Sequence, residues 1–296
     1  MSLASFLRLL VVMTLWATCF PLITIGLDLA PHLAFAALRA AFAGLCLLFI
    51  GTFFGRSVPR SFRSWLLIGA AALGTTSLGF FGMFHAAEYV SPGLATVIAN
   101  TQPILAAILA HAFLGERLKG TGKFGLFVGL LGIVTIALPG IVSGNTQGQS
   151  VGIAFVALAA TGVAGGNIAI KQLAGHVDAV MAMGFQLVLG AFPLALLSLL
   201  TEDISTFSWS MEFLATLLLL SVFGTALAFW LWFATLEQIG LNRANAFTFL
   251  VPILALAIGA TLFEEQLDWI QIAGTFLVLS GIMLVERDGS TSGTES

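Results

Sequence analysis

Apolar residues in this chain run in long blocks rather than in alternation. Gly, Pro and charged clusters interrupt them and leave ten apolar segments, at 5–26, 31–54, 64–88, 93–114, 121–139, 150–173, 178–200, 211–236, 243–263 and 269–286. Each holds about 20 residues, which at a rise of about 1.5 Å covers the roughly 30 Å of a bilayer core. The alternating ten-residue strands of a membrane barrel are absent from the pattern. The predicted fold is all-α, with ten transmembrane helices and no room for a separate soluble domain.

One stretch of the pattern recurs. Phe84, Glu88, Ala95, Pro103-Ile104-Leu105-Ala106, Glu116, Leu118, Gly125 and Gly132 reappear 149 positions later, without insertion or deletion. Their counterparts are Phe233, Glu237, Ala244, Pro252-Ile253-Leu254-Ala255, Glu265, Leu267, Gly274 and Gly281. A match at a fixed period points to a duplicated unit. The first five-helix half is read as residues 1–142, the uncharged linker as 143–150 and the second half as 151–287. The Gly-, Ser- and Thr-containing residues 288–296 read as a disordered tail. At an offset near 147, Trp16–Arg39 falls against Val163–Gln186 with little identity.

Composition turns ten apolar segments into a membrane protein. The chain is 59% hydrophobic and 8% charged, against about 25% charged residues in soluble domains; its mean hydropathy is +1.06. Cys19 and Cys46 lie in apolar segments without a ligand cluster, so neither a disulfide framework nor a metal site is expected. The first segment lacks a clean small-x-small cleavage site and reads as a retained helix.

Charge then sets the orientation. With the N-terminus in the cytoplasm, Arg8, Arg56, Arg60, Arg63, Arg117, Lys119, Lys123, Arg243 and Arg287 all fall inside. Asp28, Glu88, Glu202, Asp203, Glu212, Glu264, Glu265 and Asp268 fall outside. Both termini are expected to be cytoplasmic in a multi-pass membrane protein. Five helices per half is an odd number, so the second half must be inverted relative to the first. Two inverted halves around an axis in the membrane plane let a central site open to either side.

The candidate chemistry is sparse and mostly neutral. Thr96, Asn100 and Pro103 share one helical stripe, and Asn245, Phe249 and Pro252 occupy the related one. A proline inside a membrane helix frees a carbonyl, so Pro103 and Pro252 are candidate hinges; the alternative is that they only shape their helices. Phe81 and His85 in the third segment, and Trp230 in the eighth, are candidate lining residues. Packing against lipid or a neighbouring helix is their alternative. Trp16 and Phe20 share a face, as do Asn167 and Lys171. Lys171 and Arg39 are candidate intramembrane charges. Lys171 is expected to snorkel to the inner headgroups, and Arg39 to pair with a carbonyl or a carboxylate such as Glu88. Every Asp and Glu lies near a segment end, whereas a proton-driven exporter of cationic drugs needs a central carboxylate. The mixture suits a small zwitterionic or neutral metabolite.

These features together resemble the drug/metabolite transporter superfamily of EamA type, over nearly the whole chain. The resemblance rests on the inverted five-helix halves, the Pro103 and Pro252 helices, and Gly115-Glu116 and Glu264-Glu265 at helix ends. Leu15-Trp16-Ala17-Thr18 and Leu38-Arg39 add to it. It implies alternating-access movement of small metabolites, often amino acids leaving across the bacterial inner membrane. The chain is most similar to the aromatic amino-acid exporter (YddG-like) branch.

The expected function is export or facilitated diffusion of amino acids with large apolar or aromatic side chains. A multidrug or nucleotide-sugar carrier of the same superfamily is the alternative. An enzyme is not expected, because clustered Asp, His or metal-binding runs are missing from the sequence. No cofactor, metal or nucleic acid is implied. The partners are a small-molecule substrate, the bilayer and a homodimer mate through the glycine-rich helices 5 and 10, although packing within one chain is the other use of those glycines.

Overall fold

The structure, a computed structural model, describes residues 1–86, 89–90, 95, 98–143, 149–262 and 268–290. The first half contains α1 (Leu3–Leu27), α2 (His32–Phe53), α3 (Phe62–Ala86), α4 (Gln102–Leu114) and α5 (Gly120–Ser143). The second contains α6 (Gln149–Leu173), α7 (Ala179–Thr201) and α8 (Met211–Leu236). Two helical pieces, Leu241–Ala246 and Leu250–Leu262, joined by a 3-10 turn at Phe247–Phe249, form α9; α10 is Trp269–Ser290. Nine of these elements are long and apolar enough to cross a membrane, and α4 is shorter, among the described residues. The described residues include no strand.

Two differences from the sequence reading concern ends. Residues 288–290, read as tail, continue α10. Asp288 holds them there: its carboxylate accepts from the Lys119 N–H at 2.8 Å and the Thr121 hydroxyl at 2.6 Å, at the start of α5. Pro103 is not inside the described helix but in the first turn of α4, where its missing N–H would have had no partner anyway.

The two halves are inverted, and two antiparallel pairs show it. The Leu33 and Ala34 N–H groups at the start of α2 donate to the Glu202 carboxylate at the end of α7, at 2.7 and 2.9 Å. At the other ends of the same helices, Arg56 meets Asp178 at 3.5 Å. The Asp288 bonds likewise set the start of α5 beside the end of α10. Remaining contacts between halves come in related sets: α1 lies on α8 as α6 lies on α3, and α1 on α9 as α6 on α4. The outer pairs α2–α7 and α5–α10 therefore flank six inner helices.

Glycine allows the outer pairs their close approach. A Cβ at Gly281 would stand 2.5 Å from the Gly129 N, and one at Gly132 2.7 Å from the Gly274 carbonyl oxygen. These glycine faces are filled within one chain. A contact between two copies through these helices would instead use their exposed side chains, such as Phe124, Phe127 and Phe276.

The third helix of each half carries a π segment at the same place in the repeat, Ala72–Leu78 in α3 and Val222–Leu227 in α8. The wider turn leaves carbonyls misaligned, and hydroxyls five residues on take them up. The Ser77 hydroxyl donates to the Ala72 carbonyl at 3.3 Å, and the Thr225 hydroxyl to that of Leu220 at 2.9 Å. Such π turns are frequent at functional sites.

Candidate functional site

The boundary between the halves holds most of the buried polar side chains, and its best-defined contacts form a crossed pair. The Arg39 Nε on α2 donates to the Thr225 hydroxyl in the π segment of α8 at 2.7 Å. The Gln186 amide on α7 donates to the Thr76 hydroxyl in the π segment of α3 at 2.6 Å, and to the Thr75 hydroxyl at 2.7 Å. Thr76 and Thr225 are 149 positions apart, and Arg39 and Gln186 are 147 apart. The second helix of each half thus latches onto the π turn of the other half.

Arg39 is 5% exposed and has further partners in the Gly224 carbonyl and the Cys19 Sγ, each 3.5 Å from its Nη2. The Phe80 ring lies beneath the guanidinium at 5.0 Å. The expected carbonyl partner is present; the alternative, Glu88, lies outside the described residues. Lys171 is half-buried and reaches the C-terminal end of α8. Its ammonium donates to the Leu236 and Ile239 carbonyls at 2.5 and 2.7 Å, which closes the C-terminal end of α8. The last carbonyls of a helix have no partner within it, so a cation at this end is favourable.

The remaining candidates gather in three places. In the first, Trp16 on α1 meets Trp232 and Phe229 on α8, with centroids at 5.4 and 6.3 Å. The Trp232 indole N–H donates to the Asn167 side-chain oxygen on α6 at 3.1 Å. Asn167 and Lys171 thus turn their common face to α8. In the second, the His85 and Phe81 rings on α3 pack at a tilt with centroids 4.4 Å apart, and the Phe155 ring of α6 lies 5.1 and 5.6 Å from them. In the third, the Gln102 amide on α4 reaches the Asn245 side-chain oxygen on α9 at 3.5 Å. The Asn245 Nδ2 and the Asn242 Oδ1 are buried with no hydrogen-bond partner among the described residues.

Other candidates are placed apart from these groups. Phe249 is fully buried, and its ring fills the space over Gly129 of α5. Trp230 is 37% exposed, while the buried face of α8 runs through Phe229, Trp232, Phe233 and Leu236. Asn100 is half-buried just before α4. Pro252 is buried one turn after the 3-10 break in α9. Thr96 and the Phe20 side chain lie outside the described residues.

Trp232, Thr76, Thr225, Gln186 and Gln102 did not stand out as candidates in the sequence. For the threonines a signal exists, since they match at the repeat offset and are polar inside apolar runs. At one end of the molecule Glu116, just after α4, bridges to the start of α9. Its carboxylate oxygens accept from the Leu241 and Asn242 N–H groups of α9 at 2.9 and 3.1 Å. Beside it, Arg243 and Glu286 form a bidentate pair, with 2.6 Å for the Nε contact.

Comparison with known proteins agrees with this architecture. A WAT1-related chloroplastic protein of Arabidopsis thaliana is 29% identical over 279 residues, 91% of this chain and 66% of that longer protein. A protein of Salmonella typhimurium named probable amino-acid metabolite efflux pump is 29% identical, covering 95% of this chain and 93% of its own. A crystal structure superposes with a TM-score of 0.82 at 20% identity, over 96% of this chain and 98% of that one, which shows the shared fold. The model of the EamA-like transporter family matches twice, at residues 3–138 and 150–287. The chain is a multi-pass membrane protein that belongs to the EamA-like transporter family.

Proposed function

We propose that this transporter moves amino acids with large apolar or aromatic side chains, by export or facilitated diffusion across a bacterial inner membrane. The observation that carries the reading is the Trp16–Trp232–Asn167 group, where α1, α6 and α8 meet between the halves. Indole faces suit an apolar side chain, and an amide beside them suits a zwitterion's polar end. The name of the Salmonella relative supports the same class. A nucleotide sugar would want several free cations, whereas Arg39 and Lys171 are both engaged by protein oxygens.

The halves exchange access by rocking about the boundary, with the π turns and the breaks before Pro103 and Pro252 as flexing points. The end carrying Arg56, Lys119 and Arg243 faces the cytoplasm, as do both termini, and Glu202 faces outward. Purified protein in liposomes, given a panel of labelled amino acids with and without a proton gradient, tests the assignment. Tryptophan, phenylalanine or leucine should equilibrate faster than in empty liposomes. Movement of none of the panel would overturn it.

A further inference from the structure

At the end of the molecule opposite Glu116, three titratable side chains from three helices are joined in a line. His32 opens α2, His85 lies in the last turn of α3, and Glu202 comes directly after α7. The His32 Nδ1 is 3.1 Å from a Glu202 oxygen. The His32 Nε2 is 3.3 Å from the His85 Nδ1, with the two rings at right angles and their centroids 4.4 Å apart. Glu202 is 8% exposed on its side chain and already accepts two backbone N–H groups, while His32 is 20% exposed. The line therefore runs from a partly wet imidazole to a ring packed at a tilt against Phe81 and Phe155.

We propose that Glu202, His32 and His85 form a proton-binding site at the outer mouth, where a bound proton and the substrate's ammonium group exclude one another. The inference rests on the substrate class and orientation proposed above. A carboxylate facing the Nδ1 of His32 holds its N–H there and leaves the Nε2 lone pair toward His85. One proton from external water adds to this nitrogen pair and returns to water when it leaves; a second would set two cations a few ångströms apart, so the rings titrate as a coupled pair. Among the described residues, Tyr89 shares the Phe155 ring with His85; Glu88, three positions after His85 in the sequence, lies outside the described residues. Asp203, next to Glu202, is exposed; hydrogen bonds from the Ser205 hydroxyl and then from its N–H hold the carboxyl below its usual range. It therefore stays charged while the histidines titrate.

Two measurements test the site. In the first, ring signals of the chain's four histidines are tracked by nuclear magnetic resonance against pH in purified, substrate-free protein. His32 and His85 should titrate together, and His32→Gln should change the His85 curve, while His111 and His176 serve as controls. Independent titration of the two rings overturns the proposal, whatever the substrate is. In the second, uptake from the outer side should fall about tenfold as external pH drops from about 8 to about 5. His32→Gln and His85→Gln should flatten that dependence, and Glu202→Gln should move its midpoint to more acid pH. A steep dependence surviving in both histidine variants overturns the link. If no amino acid moves at any pH, the proposed function fails and the resonance titration alone decides the site.

Discussion

Arg39 shows what a single residue does at the boundary. Its repeat counterpart is Gln186, and both donate to a threonine hydroxyl of the opposite half. Arg39→Gln should therefore keep the bond and fold well, whereas Arg39→Ala removes a buried donor set and should cost about 1–3 kcal/mol. Thermal unfolding in detergent distinguishes them: the alanine variant should melt clearly lower than the glutamine variant. Trp232 gives a functional counterpart. Trp232→Phe keeps a ring against Trp16 but loses the bond to Asn167, worth about 1 kcal/mol. The half-saturation concentration for an aromatic amino acid should rise about fivefold. Asn167→Ala should do the same, and the double variant should be little worse than either single one, because both changes remove one interaction.

At the scale of elements, the helices are not uniform rods, and their irregularities repeat. The π turns of α3 and α8 correspond, and so do the breaks before Pro103 and Pro252. Glu116 is the capping element at the cation-rich end, and its two bonds satisfy the first N–H groups of α9, those of the buried Leu241 and Asn242. Negative charge at a helix start is worth about 0.5–2 kcal/mol. Glu116→Gln should weaken this bridge and populate a state open at that end. A cysteine placed at Gln102, in a background lacking Cys19 and Cys46, should then react with a water-soluble maleimide up to about tenfold faster. Unchanged labelling would show that Glu116 does not close the molecule.

At the scale of the whole molecule, neither half is complete. The glycine faces of α2, α5, α7 and α10 are covered by the other half, and the crossed latches run only between halves. Fragments 1–146 and 147–296 expressed together should copurify and transport, while either alone should aggregate. Size-exclusion chromatography in mild detergent checks this, and a monodisperse single half would count against obligate assembly.

The helical class, the membrane and the repeat were legible in the sequence, because apolar block length and a fixed offset survive without knowledge of contacts. The inversion came from five helices per half and from the cations. Which side chains meet was decided by tertiary structure. Trp230 is a candidate for the lining of α8 by sequence, but helical spacing alone does not say which face of the helix turns to its neighbours, and here that face runs through Phe229, Trp232, Phe233 and Leu236. Trp232 is turned inward against Trp16 and Asn167, and Trp230 is left partly exposed. Phe249 was placed by Gly129, a residue of another helix that no local pattern connects to it. The latches join residues more than a hundred positions apart. Periodicity specifies one face of one helix, while a binding surface depends on how several helices are rotated against each other. In this chain that rotation comes from the glycine contacts and the cross-half hydrogen bonds.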